Sequence, residues 1–306
     1  MVRDLAEGLS ADKRLLGGRG AMNESERSRR FTRVAGAGKD SGTDQCKMGN
    51  AAERLERHEL NYAVNRGRIV ESAEKVERVG VVWLVNDGPG LRKNRRLTGR
   101  IGTGAVVCIG RAWEAMEAER LDYLFCGEEF TAEAGDKRKL AGTTGVLEVG
   151  VAPGVHGLGM KREVWWTPMG GGEFEAKVRE EQPGVMRLER GPSEACAALG
   201  WVARALAPRV IVLAGMDCAF TDSWRRYDEA LRFEGEREYL VAEDIEGRAV
   251  MTDAEQLETA EWLTAAAWWL GRTGVRVINA SEGGLLRHFV EVRGLAETIE
   301  ELNEAR

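Results

Sequence analysis

The sequence predicts an α/β protein with a mostly parallel sheet and helices on both faces, following a flexible or helical N-terminal appendage. Three observations carry the prediction. From Val79 onward, apolar runs of about five residues alternate with segments of helical period, the pattern of βαβ units. Several runs end in turns of glycine and acid, such as Asp87-Gly88-Pro89-Gly90 and Asn279-Ala280-Ser281-Glu282-Gly283-Gly284. Two amphipathic helices lead directly into further apolar runs.

Residues 1–77 form the appendage and residues 78–306 the α/β domain. Up to residue 50 the chain mixes Gly, Ser, Arg, Lys and Asp with few large apolar residues, too little to offset the entropy of ordering, so this part is expected to be flexible. From Ala51 to Glu77 the charges of Glu53, Arg54, Glu56, Arg57 and Glu59, then Glu71, Glu74, Lys75 and Glu77, suit surface helices supported by pairs four residues apart. Their apolar stripe is thin, which predicts loose docking.

Strands are expected at Val81–Val85, Ala105–Ile109, Leu121–Cys126, Val146–Val151, Val164–Trp166, Val210–Ala214 and Val275–Ile278. After Ser193, Ala195, Ala198, Leu199, Val202 and Leu206 share one face of a helix, with Ser193 as its N-cap. After Asp253, Leu257, Ala260, Leu263, Ala267 and Leu270 form a second stripe, capped by Thr252 or Asp253 and stopped by Gly271 or Gly274. The pairs Trp165-Trp166 and Trp268-Trp269 cannot each enter one core face, which leaves one of each pair for an interface and makes self-association an expectation.

A formal charge of -6 and a pI near 5.5, with no dominant basic block, argue against nucleic-acid or anionic-membrane partners and for small molecules. Five cysteines without C-x-x-C spacing suggest neither zinc nor a disulfide framework, and point to a reducing cytoplasm. The opening residues lack the apolar core of a signal peptide, and no run approaches the length of a membrane span. The histidines have no metal spacing; His58 falls in the charged appendage, and surface placement is expected for His156 and His288.

In an open parallel sheet, ligands sit beyond the carboxyl ends of the strands, where glycine lets backbone amides approach a phosphate. Asn86, Asp87, Gly88, Pro89 and Gly90 follow one such strand, although they match neither a G-x-G-x-x-G nor a P-loop pattern. Gly191-Pro192-Ser193 opens a helix whose free amides would accept an anion, or Ser193 merely caps it. Asp217, just past an apolar strand, reads either as a carboxylate for Mg²⁺ or ribose or as a turn residue, and Glu128 past the third strand could join it. Asn279, Ser281, Glu282 and Gly283 follow the last strand as readers of base or ribose.

Four segments in order resemble the 6-hydroxymethylpterin diphosphokinase MptE-like family: Val81–Leu91; Cys108-Ile109-Gly110 to Cys126-Gly127-Glu128; Gly191-Pro192-Ser193 with Leu213–Phe220; and Val250-Met251-Thr252-Asp253 through Ile278–Gly284. The resemblance spans residues from about 79 to 290. It implies a Rossmann-like fold that binds a nucleotide at the strand ends, with Mg²⁺ held by Asp217 and Glu128, and transfer of diphosphate from ATP to a hydroxymethyl-pterin-like acceptor. The family's first turn usually carries Ser where this chain has Gly90, and its aspartate after the third strand appears as Glu128. Flagellin-modifying glycosyltransferases share the domain, and sialyltransferases that use CMP-sugars are similar to it, which makes CMP-sugar-dependent glycosyl transfer the alternative. The sialyltransferase histidine is matched here by Arg248. Without the serine and a general base, a nucleotide-binding protein without catalysis is a third reading.

Overall fold

The computed structural model describes residues 32–34, 43–69, 78–118, 120–127, 130, 140–220 and 239–305. Its centre is a sheet of nine strands. In chain order these are β2 (Val81–Val85), β3 (Ala105–Ile109), β4 (Tyr123–Cys126), β5 (Thr144–Glu148), β6 (Arg162–Pro168), β7 (Met186–Leu188), β8 (Val210–Ala214), β11 (Arg276–Asn279) and β12 (Glu291–Val292). The remaining strands, β1 (Thr32–Val34), β9 (Tyr239–Glu243) and β10 (Ala249–Asp253), form a separate antiparallel sheet in the order β1-β9-β10.

The large sheet runs β12-β11-β8-β2-β3-β4-β5-β6-β7, and every neighbouring pair is parallel. Strand β2 lies inside it. The chain leaves β2 in one direction through β3 to β7, then returns to β8 on the other flank of β2, pairing Val81 with Val210 and Val85 with Ala214. Strand order therefore reverses between β2 and β8, the position at which open α/β sheets bind ligands at the carboxyl ends of the strands. This is a Rossmann-like α/β arrangement.

Right-handed crossovers place helices on opposite faces when the direction of travel reverses. Accordingly the crossover helices α2 (Pro89–Thr98) and α3 (Glu173–Glu181) contribute Leu91 and Phe174 to one core, which also holds Trp83, Leu124, Leu147 and Trp165, and the C-terminal helix α6 (Leu295–Glu304) packs on the same face through Ile299. Helices α4 (Glu194–Trp201, continued by a wider turn over Val202–Leu206) and α5 (Ala254–Arg272) cover the other face, where Leu199, Leu263 and Leu270 meet Leu84, Val107, Phe125 and Trp166. The β-strands are thus buried on both sides, the reason they read as unbroken apolar runs.

The two-sided core corrects one expectation. Trp165 and Trp166 are both buried, one in each core, so neither is left for an interface. The Asp253 cap holds, since its carboxylate accepts the Gln256 amide at 2.8 Å. Ser193 occupies the N-cap position of α4 but makes no side-chain cap bond; its hydroxyl lies 3.7 Å from Cys196 Sγ. The antiparallel sheet and the edge strands β7 and β12 were not expected; at the edges, strands of two or three residues carry too few positions for a pattern.

Helix α1 (Thr43–Asn65) begins earlier than the appendage helix the sequence suggests, and residues 70–77 lie outside the described residues, as does most of the expected flexible tail. It docks through His58, Tyr62 and Asn65 rather than an apolar stripe. His156 is also largely enclosed, against the expectation of a surface position, whereas His288 is exposed.

Leu84→Ala, at a fully buried central position, should lower unfolding free energy by about 2–5 kcal/mol without a change in denaturant slope, as read by urea denaturation. Burial alone would push the Asp244 carboxyl up, but hydrogen bonds from the Arg248 amide and guanidinium and from the Glu246 amide outweigh it and hold it below its ordinary value. Its stabilising contribution is therefore complete above its unfolded pKa of about 3.9 and is lost as pH falls through the lower folded value. Asp244→Asn should flatten the stability–pH curve on that acid side, measured by urea midpoints across the range.

Candidate functional site

Strands β11, β8 and β2 are adjacent, so the turns that follow them meet. After β2, the Asn86 amide donates to Ala214 O at 2.9 Å, and Gly88 and Pro89 start α2 as its N-cap and first residue. Proline suits that position because its fixed φ is helical and its missing N–H would have no helical partner. The Gly90 amide donates to the Asp217 carboxylate, 3.1 and 3.3 Å from its two oxygens. Asp217 follows β8 and is 1% exposed.

The turn after β11 closes the cluster. Met216 N–H donates to Ser281 Oγ at 2.9 Å, and Leu285 N–H to Asp217 O at 2.9 Å. Backbones this close leave no room for side chains. A Cβ on Gly88 would overlap Asp217 and the Gly215 carbonyl, one on Gly90 the Ser281 carbonyl, and one on Gly284 the Asp217 backbone. Gly215, at φ +67, faces the Asn86 carbonyl in the same way. The glycines thus let three loops of the chain touch one another.

The residues expected to read a nucleotide are also engaged within the fold. Asn279 is fully buried, donates to Leu286 O at 2.8 Å and accepts the Ser281 amide at 3.1 Å. Glu282 accepts the Leu295 amide at the start of α6 and Asn94 Nδ2 on α2, both at 2.8 Å. Gly283 is buried beside it. Asp87 is held by Arg92 through Nε at 2.7 Å and Nη2 at 2.5 Å.

The second group of sequence candidates flanks this cluster. Gly191, at φ +62, is packed against Cys196 and Trp262, and with Pro192 and Ser193 it forms the half-buried entry to α4. Glu194, the first residue of that helix, accepts the Gly127 amide at the end of β4 at 3.1 Å. Glu128 lies outside the described residues.

Burial pushes the Cys196 thiol up to about 11 against the lowering effect of Ser193, and pushes Cys218 well above its ordinary range, with Cys196, Asp217 and Asp253 adding to the shift. Cys126 is raised by burial and then by Glu194. None of these thiols is a thiolate at neutral pH, so none is a resting nucleophile.

Among the described residues no three His, Cys, Asp or Glu side chains come together as metal ligands. The Asp217 carboxylate is turned to the Gly90 amide, and Glu128, its expected partner in holding Mg²⁺, lies outside the described residues.

Sequence reasoning misses a further polar group. Glu148, the last residue of β5, is fully buried with His58 Nε2 at 3.1 Å and Arg190 Nη1 at 3.9 Å. The one signal for it is a charge ending the apolar run Val146-Leu147-Glu148; nothing in the sequence pairs it with His58. No protein-family model and no curated protein matches this chain.

Ser281→Ala should destabilise the fold by about 1–3 kcal/mol by leaving the buried Met216 amide without its acceptor, whereas Gly90→Ala should prevent the strand ends from closing and give little folded protein. Urea denaturation and the soluble yield of each variant would test the pair.

Proposed function

We propose that this chain is a nucleotide-dependent transferase whose ligand sits in the crevice where strand order reverses between β2 and β8. The observation that carries this reading is the convergence of the turns after β2, β8 and β11, distant in sequence, at neighbouring carboxyl ends of one parallel sheet. That is where open α/β sheets bind ligands, because the diverging connections leave a cleft and the loops present backbone donors. The entry to α4 at Gly191-Pro192-Ser193 adds helix-terminal amides and an uncapped serine hydroxyl to the same edge.

The chemistry favoured is diphosphate transfer from ATP to a small hydroxymethyl-bearing acceptor, a reaction that needs mainly positioning and neutralisation of charge. Here Asp217 fixes the crevice wall by holding the Gly90 amide, and the Asn279–Gly284 turn supports it from behind. Mg²⁺ arrives with the nucleotide phosphates, since this ion needs few protein carboxylates. A reducing cytoplasm suits the four described cysteines, none of which is disulfide-bonded among the described residues. Among the described residues no helix is long and apolar enough to cross a membrane.

Glycosyl transfer from a CMP-sugar is less favoured. Arg248, which stands where sialyltransferase-type enzymes place a histidine, is ion-paired to Asp244 and Glu246 at 2.8 Å each in the turn between β9 and β10.

Thermal denaturation with ATP or CMP, each with and without Mg²⁺, tests the reading. A ligand at a hundredfold excess over its Kd stabilises by about 2.7 kcal/mol, a shift of several degrees. ATP with Mg²⁺ should give this shift and CMP should not; the reverse would move glycosyl transfer to first place, and no shift with either would refute nucleotide binding. Asp217→Asn should weaken the ATP response at least tenfold in apparent Kd.

A further inference from the structure

We infer that the C-terminal part of helix α1 is a latch on the carboxyl edge of the sheet, which opens while the sheet stays folded and thereby uncovers Glu148 and Arg190. Over residues 53–65 only His58, Tyr62 and Asn65 are buried, spaced four and then three apart on one face of the helix. The other face is open to water, including Leu55, Leu60 and Val64 at 49%, 63% and 63% exposure. Of the inward residues, only Tyr62 belongs to the hydrophobic core. Tyr62 packs edge-on against Phe174, whose ring also lies 4.5 Å from that of His58, a small apolar contact beside that of strands buried on both faces.

Ile69, just beyond the helix, joins the same core, and the other contacts of the helix are polar. Asn65 Nδ2 donates to Val149 O at 3.1 Å and Val151 O at 2.9 Å, and Asn61 Nδ2 to Gly150 O at 3.0 Å. Asn65 Oδ1 lies 3.0 Å from His156 Nε2, whose Nδ1 is 2.8 Å from Glu163, and Tyr62 OH donates to Glu181 at 2.9 Å. Val149, Gly150 and Val151 lie in the turn after β5, Glu163 near the start of β6 and Glu181 at the end of α3, and water replaces each partner when the helix lifts. Net hydrogen-bond contributions are small for that reason. The exception is Glu148, a fully buried carboxylate with His58 of the docked helix on one side and Arg190 on the other. Removing these charges from water carries a desolvation cost that release recovers, so the contact that seals the latch also favours its opening.

Gly150 is the place to test it. The His58 ring lies directly on this glycine, and a Cβ there would overlap the ring; Gly150 has no positive φ, so alanine is otherwise tolerated. Gly150→Ala is thus a wedge that acts on the helix alone. The latch concerns the edge that carries the proposed crevice, but requires neither nucleotide binding nor transfer.

The experiment is hydrogen exchange by mass spectrometry on the full chain, together with carbodiimide coupling of glycine ethyl ester to Glu148. In the native protein, amides of residues 53–65 should exchange together and at least about tenfold faster than those of β2 and β8, as expected for a sub-global opening. Gly150→Ala should raise exchange at 53–65 and labelling of Glu148 by a further tenfold or more, with β2 and β8 unchanged. Tyr62→Phe, which keeps the ring and removes one hydrogen bond, should move both readouts in the same direction by a few-fold and serves if the wedge fails to fold. Equal protection of the helix and the central strands, acceleration of β2 and β8 by either variant, or an unlabelled Glu148 beside a freely exchanging helix would each overturn the proposal.

Discussion

A carboxylate withdrawn from water must keep hydrogen-bond donors, and at the end of β8 that requirement joins two distant parts of the chain. Asp217 takes the Gly90 amide from the start of α2, while its own carbonyl takes the Leu285 amide beyond β11. The ends of β2 and β8 are tied by this contact: where strand order reverses, the connections leave in different directions, and something must hold their first residues at a fixed distance. A charged acceptor does so more strongly than a neutral one. The glycines at positions 88, 90, 215 and 284 then follow, because backbones drawn this close admit no Cβ.

The same edge of the sheet carries a second polar arrangement. Glu194 takes the Gly127 amide beside β4, and Glu148 sits between His58 and Arg190 beyond β5. Both lie at the carboxyl ends of parallel strands, where the apolar packing of the two faces ends and polar groups must find one another. At the flanks of the sheet the need is different. Arg204 donates to the Arg187 carbonyl on β7, and Arg276, Glu291, Arg293 and Glu301 form an ion-pair network around β12, so both edges are covered by charged side chains.

Much of the architecture was legible because burial on both faces leaves a plain mark: β2, β3 and β8 are uninterrupted apolar runs, and their observed limits are those the pattern gives. Helix α5 was equally legible through its stripe and its Asp253 cap. The small antiparallel sheet was not, since Thr32–Val34 has no partner pattern to announce it. For the site, residue types pointed to turns that the fold brings together, but could not say which way their side chains face. Asn279, Ser281 and Glu282 read from sequence as ligand contacts, and the fold gives each a partner within the protein.

What the sequence by itself determined is therefore the seven longer strands of the large sheet, helices α4 and α5 and the location of the glycine-rich turns at strand ends, because periodicity and backbone freedom are local properties. The tertiary structure alone decided that β8 returns to the flank of β2, that both Trp165 and Trp166 are enclosed, and that His58 meets Glu148. These are encounters between residues far apart in the chain. Their energies depend on which groups lose water together, and that is fixed only when the sheet has closed.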